Sequence, residues 1–204
     1  MLNRVLKTIV DYTATICGGL LLLVPMLIVA YKIKKDSPGD AMYNAERIGK
    51  DGKLFKCYKF RSMYINGDEI LEKYLEENPD KKVEWETYHK LDDDPRVTPI
   101  GKFIRKTSID ELPQLLNVLE GSMSLVGPRP YLPRETDEMG EALNTIVLVK
   151  PGITGHWQVN GRSNVDFVNR LKMDCWYVHN RTFWMDIMLL FKTVGVVLNK
   201  KGAK

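Results

Sequence analysis

The chain has 204 residues, with 30 Lys and Arg against 26 Asp and Glu and a formal net charge of +4. That length buries a real core and suits one compact catalytic domain, while the small charge excess sets aside a dedicated nucleic-acid binder, so no nucleic-acid partner is expected. Cys17, Cys57 and Cys175 are scattered without Cys-x-x-Cys spacing, which argues against a disulfide framework or a structural zinc site and fits a reducing compartment.

From Tyr12 to Tyr31 there is no charged residue, and Leu20 to Val29 is almost purely aliphatic apart from Pro25. About twenty such residues just cross a bilayer as a helix. No small-x-small cleavage site follows, and Lys32, Lys34 and Lys35 come next, so a signal peptide is disfavoured. Pro25 removes a backbone bond and bends a helix. Arg4 and Lys7 before the segment and the lysines after it pull both ends toward the cytoplasm. These residues leave two readings open: a spanning helix containing a proline, or a re-entrant helix that enters and leaves by one leaflet.

Asp36 to Asp40 is turn-rich, and Gly49 Lys50 Asp51 Gly52 Lys53 reads as a tight hairpin turn before a strand over Leu54 to Phe60. Residues 66 to 94 read as exposed amphipathic helices interrupted at Asn78 Pro79. Ile109 to Leu119 carries leucines at helical spacing and stops at Gly121. Near the C-terminus, Trp176, Tyr177, Phe183 and Trp184 precede an apolar run, Ile187 to Leu198, interrupted by Lys192 and Gly195. That run suits either an interfacial helix with Lys200, Lys201 and Lys204 beyond it, or an ordinary core helix.

The segment Arg105 to Gln114 carries the chemistry. Ser108-x-x-Glu111 has the form of a capping box, but a cap at Ser108 would place Pro113 beyond the first turn, where its missing N–H removes a bond. A helix starting near Asp110 avoids the conflict and sets that carboxylate among orphan N–H groups, which also attract phosphate. An ionised aspartate beside cations can attack phosphorus, and Glu111 can hold a divalent cation. Strand alternation points Lys59 and Arg61 to one face. Arg129 stands between Pro128 and Pro130, and Arg162 follows an Asn160 Gly161 turn, so both sit on stiff backbone suited to a bidentate phosphate clamp. Each arginine alone reads first as a surface ion pair. His89, His156 and His179 lack metal spacing and read as structural.

Taken together, the proline-broken apolar segment, Tyr58 to Met63, Arg105 to Gln114, Met123 to Pro130, Lys150 to Arg162 and Asp174 to Val178 resemble the monotopic phosphoglycosyl transferases. This bacterial sugar transferase family starts polysaccharide and glycoconjugate assembly on undecaprenyl phosphate. The resemblance implies an α+β, predominantly helical fold: residues 1–35 as a re-entrant, Pro-kinked membrane anchor, and 36–204 as a cytosolic catalytic domain with a C-terminal interfacial helix. The implied location is the cytoplasmic face of the bacterial inner membrane. Asp110 is the implied nucleophile, and Glu111, beside it, is implied in Mg2+ binding. Lys59, Arg105, Arg129 and Arg162 fall on the phosphate- and nucleotide-contacting positions, and Arg61, Gln158 and Asp174, in the matching segments, join the expected substrate-binding set. The sequence departs from the family where Val24 Pro25 replaces a Ser-Pro break and where Gly155 His156 Trp157 Gln158 replaces Gly-Trp-Ala-Gln or Gly-Leu-Trp-Gln. Larger relatives carry further transmembrane helices, for which no counterpart is expected here.

The implied reaction transfers a sugar-1-phosphate from a UDP-sugar to undecaprenyl phosphate by a ping-pong route through a phosphosugar on Asp110. The run Pro130 to Glu135 resembles galactose-type transferases. Membrane phospholipid is an expected partner, and a homodimer is left open. Two other readings are a non-enzymatic membrane adaptor, for which Asp110 would be dispensable, and a glycosyl transferase, which would release UDP instead of UMP.

Overall fold

A computed structural model describes residues 2–88, 91, 93–161 and 165–198. Leu2–Asp36 forms one continuous helix, α1, with Pro25 inside it, about 52 Å long at 1.5 Å per residue. By length and composition, Val5–Asp36 could cross a membrane. Proline withholds one N–H from the Leu21 carbonyl, and the neighbouring helical bonds carry the chain past it.

Both ends of α1 are tied to the rest of the protein. Lys7 pairs with Asp186 at 2.8 Å and donates to the Val126 carbonyl at 3.1 Å. Buried Asp11 accepts from the Ser124 hydroxyl at 2.7 Å and from the Leu125 N–H at 3.3 Å. At the other end, Val29 and Ile33 pack with Ala41, Phe60 and Ile104. Between the ties, Leu20, Leu21, Val24, Leu27 and Ile28 are exposed.

Strands β1 (Met42–Ile48) and β2 (Leu54–Phe60) form the expected hairpin through a 3-10 turn at Lys50–Gly52. Its register pairs Tyr43 with Lys59, Ala45 with Cys57 and Arg47 with Phe55. Residues directly opposite share a face, and buried Ala45 and Cys57 mark this face as the inward one. The exposed helices α2 (Gly67–Glu77) and α3 (Pro79–Tyr88) break at Asn78, as the sequence predicts.

Helix α4 (Pro99–Lys106) is capped by Thr98, whose hydroxyl accepts the Gly101 N–H. The predicted helix over Ile109 to Leu119 divides into a 3-10 turn, Ile109–Glu111, and helix α5, Gln114–Glu120. Pro113 between them has no N–H to continue a ladder. Gly121 closes α5 at φ 80, a conformation glycine adopts without steric penalty. The buried Asn117 side chain accepts from the Tyr58 N–H at 2.9 Å and donates to the Lys56 carbonyl at 2.7 Å, which fastens α5 to the edge of β2.

Strand β3 (Ser124–Val126) pairs in parallel with β4 (Gly152–Thr154), Ser124 opposite Gly152. Between them lie α6 (Thr136–Met139) and α7 (Ala142–Ile146), and after them α8 (His156–Asn160), α9 (Phe167–Asn180) and α10 (Phe183–Leu198). Cys57, Val118, Met123, Val126, Tyr177 and Leu189 join β2, α5, β3, α9 and α10 in one core. Helix α10 has a buried side and an exposed apolar side. Leu189 is fully buried, whereas Trp184, Met188, Phe191 and Val194 are exposed, at the three- and four-residue spacing of one helical face. Lys200, Lys201 and Lys204 lie outside the described residues.

Candidate active site

The turn between α4 and α5 holds the acidic pair. Ser108 takes φ 57 and makes no side-chain cap, so the Ser108–Glu111 capping box does not form. The left-handed step, uncommon outside glycine, starts the 3-10 turn that carries Asp110 and Glu111. From β2, Lys59 reaches Glu111 at 2.7 Å. Burial pushes the Asp110 carboxyl up to about 6, and the Glu111 charge adds to the rise while Lys59 and Arg105 oppose it. An acid of that pKa is largely ionised at neutral pH and keeps more basicity than a free aspartate. Lys59, Arg105, Asp110 and Glu111 therefore meet, as the family resemblance implies.

A second group forms around the loop after β3. Gly127 and Gly152 approach so closely that a Cβ on Gly152 would lie 2.1 Å from the Gly127 nitrogen. The Gly152 N–H donates to the Pro128 carbonyl at 2.8 Å, and the Gly127 N–H to the Thr154 carbonyl at 2.9 Å. Arg129 is thereby launched from a fixed base. Its N–H donates to Asp174 at 3.1 Å, and the Tyr131 hydroxyl donates to the same oxygen at 2.8 Å. Asp174 is 0% exposed, and its burial pushes the carboxyl up to about 7. This corrects its expected place among substrate contacts: Asp174 positions the Arg129 loop from beneath.

Arg61 is corrected in the same way. Arg61 is 7% exposed, and its guanidinium donates to the Asp40, Pro38, Ser37 and Gly39 carbonyls and to the Ser37 hydroxyl. All five of its N–H groups are used, so it ties the end of α1 to β1 and has no donor left for a phosphate. Gln158 donates to the Ile153 carbonyl at 3.0 Å, and its oxygen is buried without a partner. Arg162 lies outside the described residues. His156 stacks on Trp176 at 4.7 Å, and burial pushes its pKa down, in keeping with a structural role.

The sequence reading missed Arg47 and Arg170. Arg47 shares the inward face of the hairpin with Lys59, a placement available from the Asp-Gly turn once the register is written out. Arg170 lies over the Trp157 ring at 4.4 Å, and no local pattern announced that contact. Buried Cys57 lies between the two groups: burial pushes its thiol up, and Lys59, Arg47, Glu111 and Arg129 all act on it. Among the described residues no three His, Cys, Asp or Glu cluster as a metal site. Asp110 and Glu111 supply two carboxylates, which suits a Mg2+ ion completed by substrate phosphates and water rather than by an all-protein cage.

The family model for bacterial sugar transferases matches residues 2–200. The undecaprenyl-phosphate galactose phosphotransferase of Salmonella typhimurium is 48% identical over 204 residues, covering 98% of this chain and 42% of its own. The UDP-glucose:undecaprenyl-phosphate glucose-1-phosphate transferase of Escherichia coli is 41% identical over 94% of this chain and 40% of its own. The exopolysaccharide production protein ExoY of Rhizobium meliloti is 42% identical over 91% of this chain and 82% of its own. The chain thus spans 42% of the length of the Salmonella relative. With the matched region running through the apolar helix α1, the acidic pair and the Arg129 loop, the chain belongs to the bacterial sugar transferase family.

Proposed function

We propose that the protein transfers a sugar-1-phosphate from a UDP-sugar to undecaprenyl phosphate, through a covalent phosphosugar on Asp110, at the cytoplasmic face of the bacterial inner membrane. The observation that carries this reading is the Asp110 carboxylate, buried enough to be pushed up to about 6 and flanked by Lys59, Arg105 and Glu111. The names of the relatives support the reaction class.

In the first step a carboxylate oxygen of Asp110 forms a bond to the sugar-bearing phosphorus, the phosphoanhydride bond breaks, and UMP leaves with the bridging oxygen. In the second, an oxygen of undecaprenyl phosphate attacks that phosphorus, the acyl-phosphate bond breaks, and Asp110 is regenerated. Lys59 and Arg105 offset the repulsion between an anionic nucleophile and an anionic diphosphate. Mg2+ held by Glu111 and Asp110 would supply further charge neutralisation at the diphosphate.

The two ties of α1 support a monotopic arrangement. Lys7 and Asp11 at one end and Val29 and Ile33 at the other contact the same folded body, which a helix crossing to the far side could not achieve. The exposed residues Leu20 to Ile28 then sink into one leaflet. Cysteine tagging at Asn3 and Asp36 should report both on the cytoplasmic side, and a periplasmic Asn3 refutes this topology.

The reaction is tested with purified protein, undecaprenyl phosphate and a panel of UDP-hexoses, UDP-galactose first. UMP release and a mass-labelled phosphosugar on Asp110 are expected, and both should vanish in Asp110→Asn. UDP release would make it a glycosyl transferase. Unchanged lipid product in Asp110→Asn would remove the nucleophile.

A further inference from the structure

Buried polar atoms without a hydrogen-bond partner are rare in folded proteins, and each marks an unmet binding demand. Among the described residues they include Nε and Nη1 of Arg47, Nε of Arg170, Nε1 of Trp157, Oε1 of Gln158 and Oδ1 of Asp174. These five residues converge on the Arg129 loop. Arg170 lies over Trp157 at 4.4 Å and one helical turn before Asp174, which accepts the Arg129 N–H. Next to Arg47, the Ile48 N–H donates to the Tyr131 carbonyl at 2.9 Å.

The charges there do not balance. Burial, followed by the charge of Arg129, weakens the hold of both Arg47 and Arg170 on their protons. The acidic neighbours are Asp174, itself buried, and Glu135, one of whose oxygens accepts the Leu132 N–H at 2.6 Å. Three guanidinium groups gathered with orphaned donors call for an anion.

The geometry points to a nucleotide site: Arg47, Arg129 and Arg170 bind the phosphate of the leaving UMP, and Trp157 and Gln158 serve its heterocycle. This rests on the transferase reading above. A bare phosphate only accepts hydrogen bonds, so the Gln158 oxygen would repel it, and a lipid phosphate has no N–H to offer. Uracil presents an N–H between two carbonyls, which matches an acceptor from Gln158 beside donors from Trp157 and an arginine. Position agrees as well. Arg47 pairs with Phe55 and lies on the same inward face as Lys59. The four residues from Phe55 to Lys59 span about 13 Å of strand, which separates the base and its phosphate from the reacting phosphorus at Asp110.

The test is calorimetric titration of UMP into the full chain in nanodiscs, without lipid acceptor. Arg47→Gln and Arg170→Gln should each weaken UMP at least tenfold. Gln158→Leu should weaken UMP while leaving competition by inorganic phosphate unchanged. UMP affinity within twofold of wild type in both glutamine variants, at an unchanged unfolding midpoint, overturns the site. If a glutamine variant fails to fold, the lysine variant at that position decides, because it keeps the charge and loses the fork. It should weaken UMP at least threefold, and unchanged binding overturns the proposal. Asp110→Asn separates this site from the reaction: it should abolish turnover and retain UMP binding. Dead Asp110→Asn with arginine variants that bind UMP normally removes the arginine site alone. Active Asp110→Asn with arginine-dependent UMP binding removes the nucleophile alone.

Discussion

Arg61→Lys separates a structural tie from a substrate contact. The guanidinium donates at 2.7 Å to the Asp40 carbonyl, at 2.8 and 2.7 Å to the Ser37 hydroxyl and Pro38 carbonyl, and at 2.8 and 3.5 Å to the Ser37 and Gly39 carbonyls. Lysine has three donors, so at least two acceptors in this buried turn lose their partner. With about 1.5–3 kcal/mol for a hydrogen bond to a charged group, and one of the lost bonds being the long one, the loss is about 3 kcal/mol. For a chain of this size that is a fall in unfolding midpoint of roughly 6–12 °C. Scanning calorimetry in nanodiscs measures the midpoint, and donor KM is read at a temperature where both proteins are folded. The expected result is a lowered midpoint with KM within twofold of wild type. A midpoint within about 2 °C of wild type, combined with a tenfold higher donor KM, refutes the argument and returns Arg61 to the substrate site.

Because Asp110 attacks as an anion and its carboxyl is raised to about 6, kcat/KM should fall as pH drops through that value. Lys59→Met removes a cation that opposes the rise and should move the acid limb to higher pH, and an unmoved limb detaches Lys59 from Asp110. Burial raises the Asp174 carboxyl from its ordinary 3.8 to about 7 in the folded protein, so between these values the native state holds more protons than the unfolded one and stability falls as pH rises. Asp110 contributes in the same direction. Chemical denaturation between pH 4 and 7 should show this decline, and Asp174→Asn should flatten most of it; a wild-type slope of opposite sign contradicts the burial argument. Trp184→Glu with Phe191→Glu puts charge on the exposed face of α10 and should lower sedimentation with anionic vesicles in a detergent-stripped preparation while the unfolding midpoint stays within a few degrees. Unchanged sedimentation would leave vesicle binding to other surfaces.

The local elements were legible because their signals are local. The Asp-Gly turn set the hairpin, Asn78 Pro79 split the acidic helices, Gly121 ended α5, and the uncharged run from Tyr12 to Tyr31 declared an apolar helix. The Asp110–Glu111 pair was legible for the same reason, since Pro113 displaces the helix start and leaves the two carboxylates on a turn. Lys59 and Arg105 were placed beside it by the family resemblance. Tertiary structure decided the partners of groups whose fate depends on distant chain. Arg61 sits one residue past β2, and only the fold brings the Ser37–Asp40 carbonyls around it. Asp174 is one more helical polar residue until α9 packs beneath the Arg129 loop and buries it. Arg47 and Arg170 come from a strand and a helix far apart in sequence, and their shared neighbourhood exists only once β1, α8, α9 and the loop after β3 close together. Sequence periodicity records which face of an element is buried, and it carries no record of which remote hydrogen-bonding group that face will meet.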